Sequence, residues 1–186
     1  MLKKILLAIV ALIILGVAVI AVAAFVTPTE CKVEREIIIN RPKAAVFDYV
    51  KFIKNQNTWG PWAKRDPNMK QEFRGNDGYA GFVVSWQSEN SEVGSGEQEI
   101  KKIVEGERID SELRFKEPFE SKSDAYMITE ATGPEATKVK WGFSMSLPRP
   151  MNLMTLAIDL DKEAGKDFEE GLSHLKRILE TPPTVN

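Results

Sequence analysis

The chain has 186 residues, 43% of them apolar and 28% charged, with a formal net charge of −2. One Cys and one His cannot assemble a zinc site, a disulfide framework or a Cys/His cluster, so no metal or cofactor is expected. Beyond residue 26 the chain holds 23 Lys and Arg against 27 Asp and Glu; that body lacks the basic footprint of a nucleic-acid binder and is too rich in Trp, Phe and Ile for disorder.

Residues 5–26 (ILLAIVALIILGVAVIAVAAFV) are 22 consecutive positions without a charged or hydrogen-bonding side chain. As a helix rising about 1.5 Å per residue they span about 33 Å, enough for a hydrocarbon core of about 30 Å. Residues 1–26 therefore read as a transmembrane anchor. The competing reading is a cleaved signal peptide: Lys3 and Lys4 form an n-region, and Ala21-Val22-Ala23 looks like a cleavage site. The apolar run, however, outlasts the usual h-region of about 7–15 residues. Positive charge before the span and mixed charge after it place the N-terminus in the cytoplasm and the body on the extracytoplasmic side. Cys31 lies just beyond the span; Thr29-Glu30 before it lacks the small residues of a lipoprotein signal, and no base accompanies it for nucleophilic work.

Residues 27–32 read as a linker, 33–181 as one domain and 182–186 as a tail. A strand is expected over 33–39, with Val33, Arg35, Ile37 and Ile39 on one side. Pro42 suits the first turn of a helix over 43–54, whose apolar stripe is Val46, Phe47, Val50 and Ile53. Trp59-Gly60-Pro61-Trp62 breaks that helix and opens an irregular stretch. Strand-like runs follow at about 69–74, 81–88, 96–104, 107–116, 122–131 and 136–147, separated by glycine-rich turns. In the last run Val139, Trp141, Phe143, Met145 and Leu147 alternate with polar or small residues, the mark of a half-buried antiparallel strand. From about 151 to 180 the period becomes helical, through Leu160, Ala164, Phe168, Leu172, Leu175 and Leu179. Gly165 and Gly171 each weaken that helix by about 1 kcal/mol relative to Ala, and Pro182-Pro183 stops it. The fold class is α+β.

Ile38-Ile39-Asn40-Arg41-Pro42-Lys43-Ala44-Ala45-Val46-Phe47-Asp48-Tyr49-Val50 is similar to the opening of the SRPBCC (START-like, helix-grip) proteins, in particular the polyketide cyclase/dehydrase branch of membrane-anchored members. Matches follow in order at Trp59-Gly60-Pro61-Trp62 with Asp66-Pro67, Ser85-Trp86, Val93-Gly94-Ser95-Gly96 and Glu107-Arg108-Ile109. Thr137-Lys138-Val139-Lys140-Trp141, Asp167-Phe168-Glu169-Glu170-Gly171-Leu172 and Leu175-Lys176 complete the series. The resemblance covers about 33–180; each motif alone is weak, and their order and spacing carry it. It implies a seven-stranded antiparallel sheet curved around a long C-terminal helix, enclosing a hydrophobic cavity. Relatives bind lipids, sterols, polyketides or other apolar molecules, and some are cyclases, dehydratases or hydrolases. Fold alone does not choose among these.

The candidate cavity lining is Trp86, Leu113, Phe115, Met127, Trp141, Phe143, Phe168 and Leu172, with Trp59 and Trp62 at the mouth. Ordinary core packing is the alternative for the lining side chains, and a packed loop or contact with the bilayer surface for Trp59 and Trp62. Arg35 shares a face with apolar residues; it either anchors an acidic ligand group or reaches water at the strand end. His174 lies about 200° around the helix from Leu172 and should face solvent. Asp110 and Glu112 share a strand face with Arg108 and Arg114, a solvated charge ladder. No residue is assigned a catalytic role. The expected function is a membrane-tethered binder of a hydrophobic small molecule or lipid. The alternatives are a cyclase/dehydratase-like enzyme and a structural or interaction domain with a filled core; oligomeric state is not readable.

Overall fold

The computed structural model describes residues 2–117 and 120–181; the stop at Pro182-Pro183 and the tail 182–186 lie outside them. The apolar opening run forms α1 (Leu2–Val26), 25 residues and about 37 Å long. It is long and apolar enough to cross a membrane, a property signal sequences share. The chain divides into two compact units, one from residues 1–31 and 146–159, the other from 32–145 and 160–186. The segment 146–159, read from sequence as part of the 33–181 domain, thus clusters with the N-terminal helix.

In the first unit the end of α1 is capped by side chains. A helix leaves its last carbonyls without partners, and here they are met in turn. Thr27 donates from both its amide and its hydroxyl to Ala23 O, at 3.0 and 2.8 Å. Asn152 Nδ2 donates to Ala24 O and Thr27 O, both at 2.8 Å. Arg149 donates to Ala24 O at 2.9 Å and Phe25 O at 3.1 Å, with its guanidinium over the Phe25 ring. A cation at this position also matches the negative end of the helix dipole. Residues Met151–Leu156 form a 3-10 turn, where the sequence suggested the start of the long helix. Turning Asn152 inward to reach α1 sends Met151, Met154, Leu156 and Ile158 outward.

The second unit follows the expected order with shifted boundaries. β1 (Glu30–Ile39) starts inside the expected linker and shows the anticipated alternation, with Val33 and Ile39 buried. Pro42 precedes α2 (Lys43–Val50), which buries Val46, Phe47 and Val50. The helix expected over 43–54 ends at Val50, and its last residues belong to a 3-10 turn at Ile53–Asn55. The stretch read as irregular from Trp59 onward instead holds the end of a short helix, α3 (Gln56–Trp59), and a second one, α4 (Pro61–Arg65). Pro61 tolerates the first position of α4 because that amide would lack a helical partner anyway. The remaining strands are β2 (Lys70–Arg74), β3 (Val83–Gln87), β4 (Ser95–Val104), β5 (Arg108–Glu117), β6 (Ser121–Gly133) and β7 (Ala136–Ser146). Tight turns use glycine where φ is positive, as at Gly106 between β4 and β5.

Among the described residues the seven strands form one antiparallel sheet in the order β1-β7-β6-β5-β4-β3-β2. First and last strands are thus neighbours. Register shifts between Ile100 and Lys102 and between Ala131 and Gly133 bend the strands that carry them. On the outer face the charge ladder is present: Arg108 bonds Asp110, and Arg114 bonds Glu97, Glu99 and Glu112.

α5 (Leu160–Glu180) lies along β1 and is fastened at both ends. At its start Arg35 donates to Asp161 at 2.9 and 3.0 Å and to Glu169 at 2.7 Å. At its end the Asn40 amide donates to Glu180, Arg41 to Leu179 O and Lys176 to Ile38 O, each at 2.6 Å. Two glycines let the helix come this close. A Cβ at Gly165 would sit 2.0 Å from the Arg35 guanidinium, and one at Gly171 2.8 Å from the Trp141 ring. The residues that looked like helix weaknesses are clearances for two side chains of the sheet.

Candidate functional site

The inner face of the sheet follows from its register. Phe73, Val84, Gln98 and Leu113 stand side by side on β2, β3, β4 and β5. Trp86, Gly96 and Phe115 form the next row, and Ser111, Ala125 and Phe143 another. Gly96 is required by its neighbour: a Cβ there would stand 2.8 Å from the Trp86 ring and 2.6 Å from Arg114 O. Trp86 then lies edge-on to Phe115 with ring centres 5.9 Å apart, and its indole donates to Val93 O at 3.3 Å.

Between these rows, the small helices and α5 is a cavity of about 270 Å³. That volume is close to the bulk share of nine water molecules and falls just below the usual range of about 300–1,000 Å³ for ligand pockets. Trp62, Trp86, Leu113, Phe115, Trp141, Phe143 and Phe168 line it, so seven of the candidate residues converge on one space. Its far wall is an aromatic stack: Phe168 of α5 lies flat on Trp141 of β7 at 4.2 Å and 6°, and Trp59 and Trp62 meet Trp141 edge-on at 4.8 and 5.6 Å.

Four candidates lie elsewhere. Trp59 is fully buried behind Trp141 and is not at a mouth. Met127 and Leu172 are buried at 5% and 1% exposure in the packed interior, outside the cavity wall. Arg35 is outside the cavity wall; partly exposed, it ties β1 to α5 through Asp161 and Glu169. This ion pairing holds the Asp161 carboxyl below its ordinary pKa. His174 does not face solvent as its helical angle indicated. α3 and α4 cover that side of α5, placing the ring 3.3 Å from Trp59 O and 3.0 Å from Lys64 Nζ.

Sequence reasoning missed much of the polar and aliphatic lining. Met69, Val84, Ala125 and Ala164 add apolar wall. Ala164 was legible, one helical turn before Phe168. Gln56, Asn57, Gln71, Gln98, Glu92 and Asp167 add polar groups. Asn57 and Gln71 exchange hydrogen bonds at 2.7 and 2.9 Å. Asp167 is held by a bidentate pair to Arg65 of α4, with side chains 21% and 28% exposed, and the bond to Asp167 raises the Arg65 pKa. A second hollow, near Asp66, Lys70 and Glu89, is lined by polar and charged residues with Gly94 and carries none of the candidate side chains.

A curved antiparallel sheet closed over a long C-terminal helix, with a cavity between them, defines the helix-grip class. No family model matches the sequence, and no curated protein matches it. Solved structures do. Ara h 8.0201 superposes with a TM-score of 0.57 at 17% identity, over 81% of this chain and 97% of that one. A protein from Nitrosospira multiformis gives 0.59 at 16% identity, over 81% and 97%. The di-domain ARO/CYC BexL from the BE-7585A biosynthetic pathway gives 0.58 at 16% identity, over 87% of this chain and 54% of that one. The chain shares the helix-grip fold of these structures.

Proposed function

We propose that the protein is a membrane-tethered binder of a small hydrophobic molecule, or of a lipid segment, held in the cavity under α5. The observation that carries this reading is the 270 Å³ cavity with a wall of three tryptophans, four phenylalanines and aliphatic side chains. Pockets that take small molecules are concave and mostly apolar, with a few placed polar groups. Burying about 200 Å² of apolar ligand surface supplies about 5 kcal/mol against the cost of association. The few polar groups at hand fix orientation. The cavity carboxylates are Glu92 and Asp167, and Arg65 already holds the latter. α1 acts as the anchor, with Lys3 and Lys4 on the cytoplasmic side and the domain across the membrane. Tethering raises the domain's effective concentration where an apolar ligand partitions.

The test is native mass spectrometry of full-length protein extracted from membranes, followed by thermal shifts with a panel of fatty acids, isoprenoids and aromatic polyketides. A co-purifying apolar mass, or a rise in Tm with one class, is expected. Neither appearing refutes binding. Intact mass lacking the first 23 residues refutes the anchor.

A further inference from the structure

We propose that Pro148–Ile158, the segment docked on the end of α1, lies in the headgroup–acyl boundary of the bilayer as a second membrane contact. The proposal rests on the reading of α1 as a membrane span. Two independent features point to lipid as the occupant.

The first is position. Arg149 and Asn152 bond the carbonyls of Ala24, Phe25 and Thr27, so the segment is fixed to the final turn of the apolar helix. The Leu147 amide donates to Thr29 O at 2.7 Å and closes the same junction. A helix of about 37 Å exceeds a hydrocarbon core of about 30 Å, so its last turn reaches the interfacial layer. Whatever is bonded to that turn shares its depth.

The second is chemistry. From Leu147 to Ile158 the sequence holds one charged residue, Arg149, and its guanidinium is turned onto the helix carbonyls and the Phe25 ring. The side chains that point away are Met151, Met154, Leu156 and Ile158, at 46%, 44%, 70% and 43% exposure. Phe25 and Val26, at the helix end to which the segment is bonded, are 74% and 71% exposed. An aqueous surface rarely gathers so many exposed apolar side chains, whereas a short segment with one apolar face suits the bilayer interface. Asn152 is buried, and its Oδ1 finds no partner among the described residues. Its amide therefore serves the two carbonyls of the α1 end, and its placement follows from docking.

The experiment uses the full chain in vesicles of mixed phosphatidylcholine and phosphatidylglycerol, in a Cys31→Ser background. A fluorophore is attached at Leu156→Cys, at Leu15→Cys as the deep reference, or at Tyr79→Cys as the aqueous reference, since Tyr79 is 69% exposed in the other unit. Quenching by nitroxide lipids and by iodide is then compared. We expect position 156 to be quenched by shallow nitroxide lipids and protected from iodide several-fold relative to position 79. Position 15 should respond to deep nitroxides. Iodide access at 156 equal to that at 79, with 15 still deep, overturns the second contact and leaves the anchor standing. Protection at 156 without lipid quenching overturns it too, in favour of a protein covering such as a second copy. Loss of lipid quenching at both 15 and 156 overturns the anchor and this contact together. Arg149→Ala with Asn152→Ala removes all four side-chain docking bonds and should reduce lipid quenching at 156 without changing position 15; no change at 156 overturns the docking mechanism.

Discussion

Replacing each glycine of α5 by alanine tests how the helix is seated. Either change favours the helix by about 1 kcal/mol, the propensity difference between the two residues. What the new methyl meets differs. At Gly165 it would overlap the end of the Arg35 side chain, 2.0 Å from Nη2. A guanidinium on a flexible stem moves aside, at the cost of ion pairs to Asp161 and Glu169, whose side chains are 55% and 63% exposed. Such pairs contribute about 0–1 kcal/mol each, so Gly165→Ala should fall within about 1 kcal/mol of neutral. At Gly171 the methyl meets Trp141 at 2.8 Å and Pro61 at 3.5 Å. Trp141 is backed by Trp59 and stacked on Phe168, and overpacking of this kind costs about 1–3 kcal/mol. Less the propensity gain, Gly171→Ala should destabilise by about 0–2 kcal/mol, and the ring has room to shift only toward the cavity it lines. Urea unfolding of both variants, with titration of whichever apolar ligand raises the Tm, checks this. The expected order is weaker ligand binding for Gly171→Ala and unchanged binding for Gly165→Ala. A Gly171→Ala variant that is more stable than the parent and binds equally well would refute the close seating of α5.

The half-buried pair at the cavity wall should matter more than a surface ion pair. Asp167→Asn is expected to cost about 1–3 kcal/mol, between the exposed and buried cases, and Arg65→Ala with Asp167→Ala should cost less than the sum of the single changes; additive losses in a double-mutant cycle would show the pair to be uncoupled. Acid should loosen α5. Asp161 and Glu180 have lowered pKa values, from Arg35 and from Lys176 with the Asn40 amide respectively. Their contribution is present above the unfolded carboxylate range of about 4 and is lost as pH falls through the lower folded values. Tm measured from neutral to acidic pH should therefore fall at the acidic end, less steeply for Asp161→Asn with Glu180→Gln; an identical slope would contradict the assignment.

How far the sequence disclosed the architecture depends on which force set each element. β7 was legible because its alternation is local: Val139 and Trp141 are buried while Lys138 and Lys140 carry ion pairs on the other side. Trp59 and Trp62 shared one motif, yet one is sealed in the core and the other lines the cavity. That difference comes from where Trp141 arrives from β7, which no local pattern encodes. The angle of His174 on α5 is local, whereas the cover that α3 and α4 lay over it has no signature in the sequence around His174. Residues 151–158 read as the start of the long helix; the deciding contact is instead Asn152 with carbonyls more than 120 residues earlier in the chain. The cavity wall was readable to the extent that aromatics at period 2 and period 3.6 had to face each other. Its polar members were not, since Gln and Asp carry no signature until a neighbour such as Arg65 is in place.

The aromatic wall has an optical consequence. The chain holds four tryptophans; Trp62, Trp86 and Trp141 border the cavity, and Trp59 touches Trp141 from behind. Every indole therefore either faces the empty space or is one ring away from it. Nearly all of the intrinsic emission arises at the site, and the edge-on indole pairs at 4.8 and 5.6 Å are close enough for their transitions to couple. A molecule entering the cavity would change the emission colour and the aromatic circular dichroism together. The protein thus carries an unlabelled reporter of its own occupancy, readable in detergent or in a bilayer before the ligand is known.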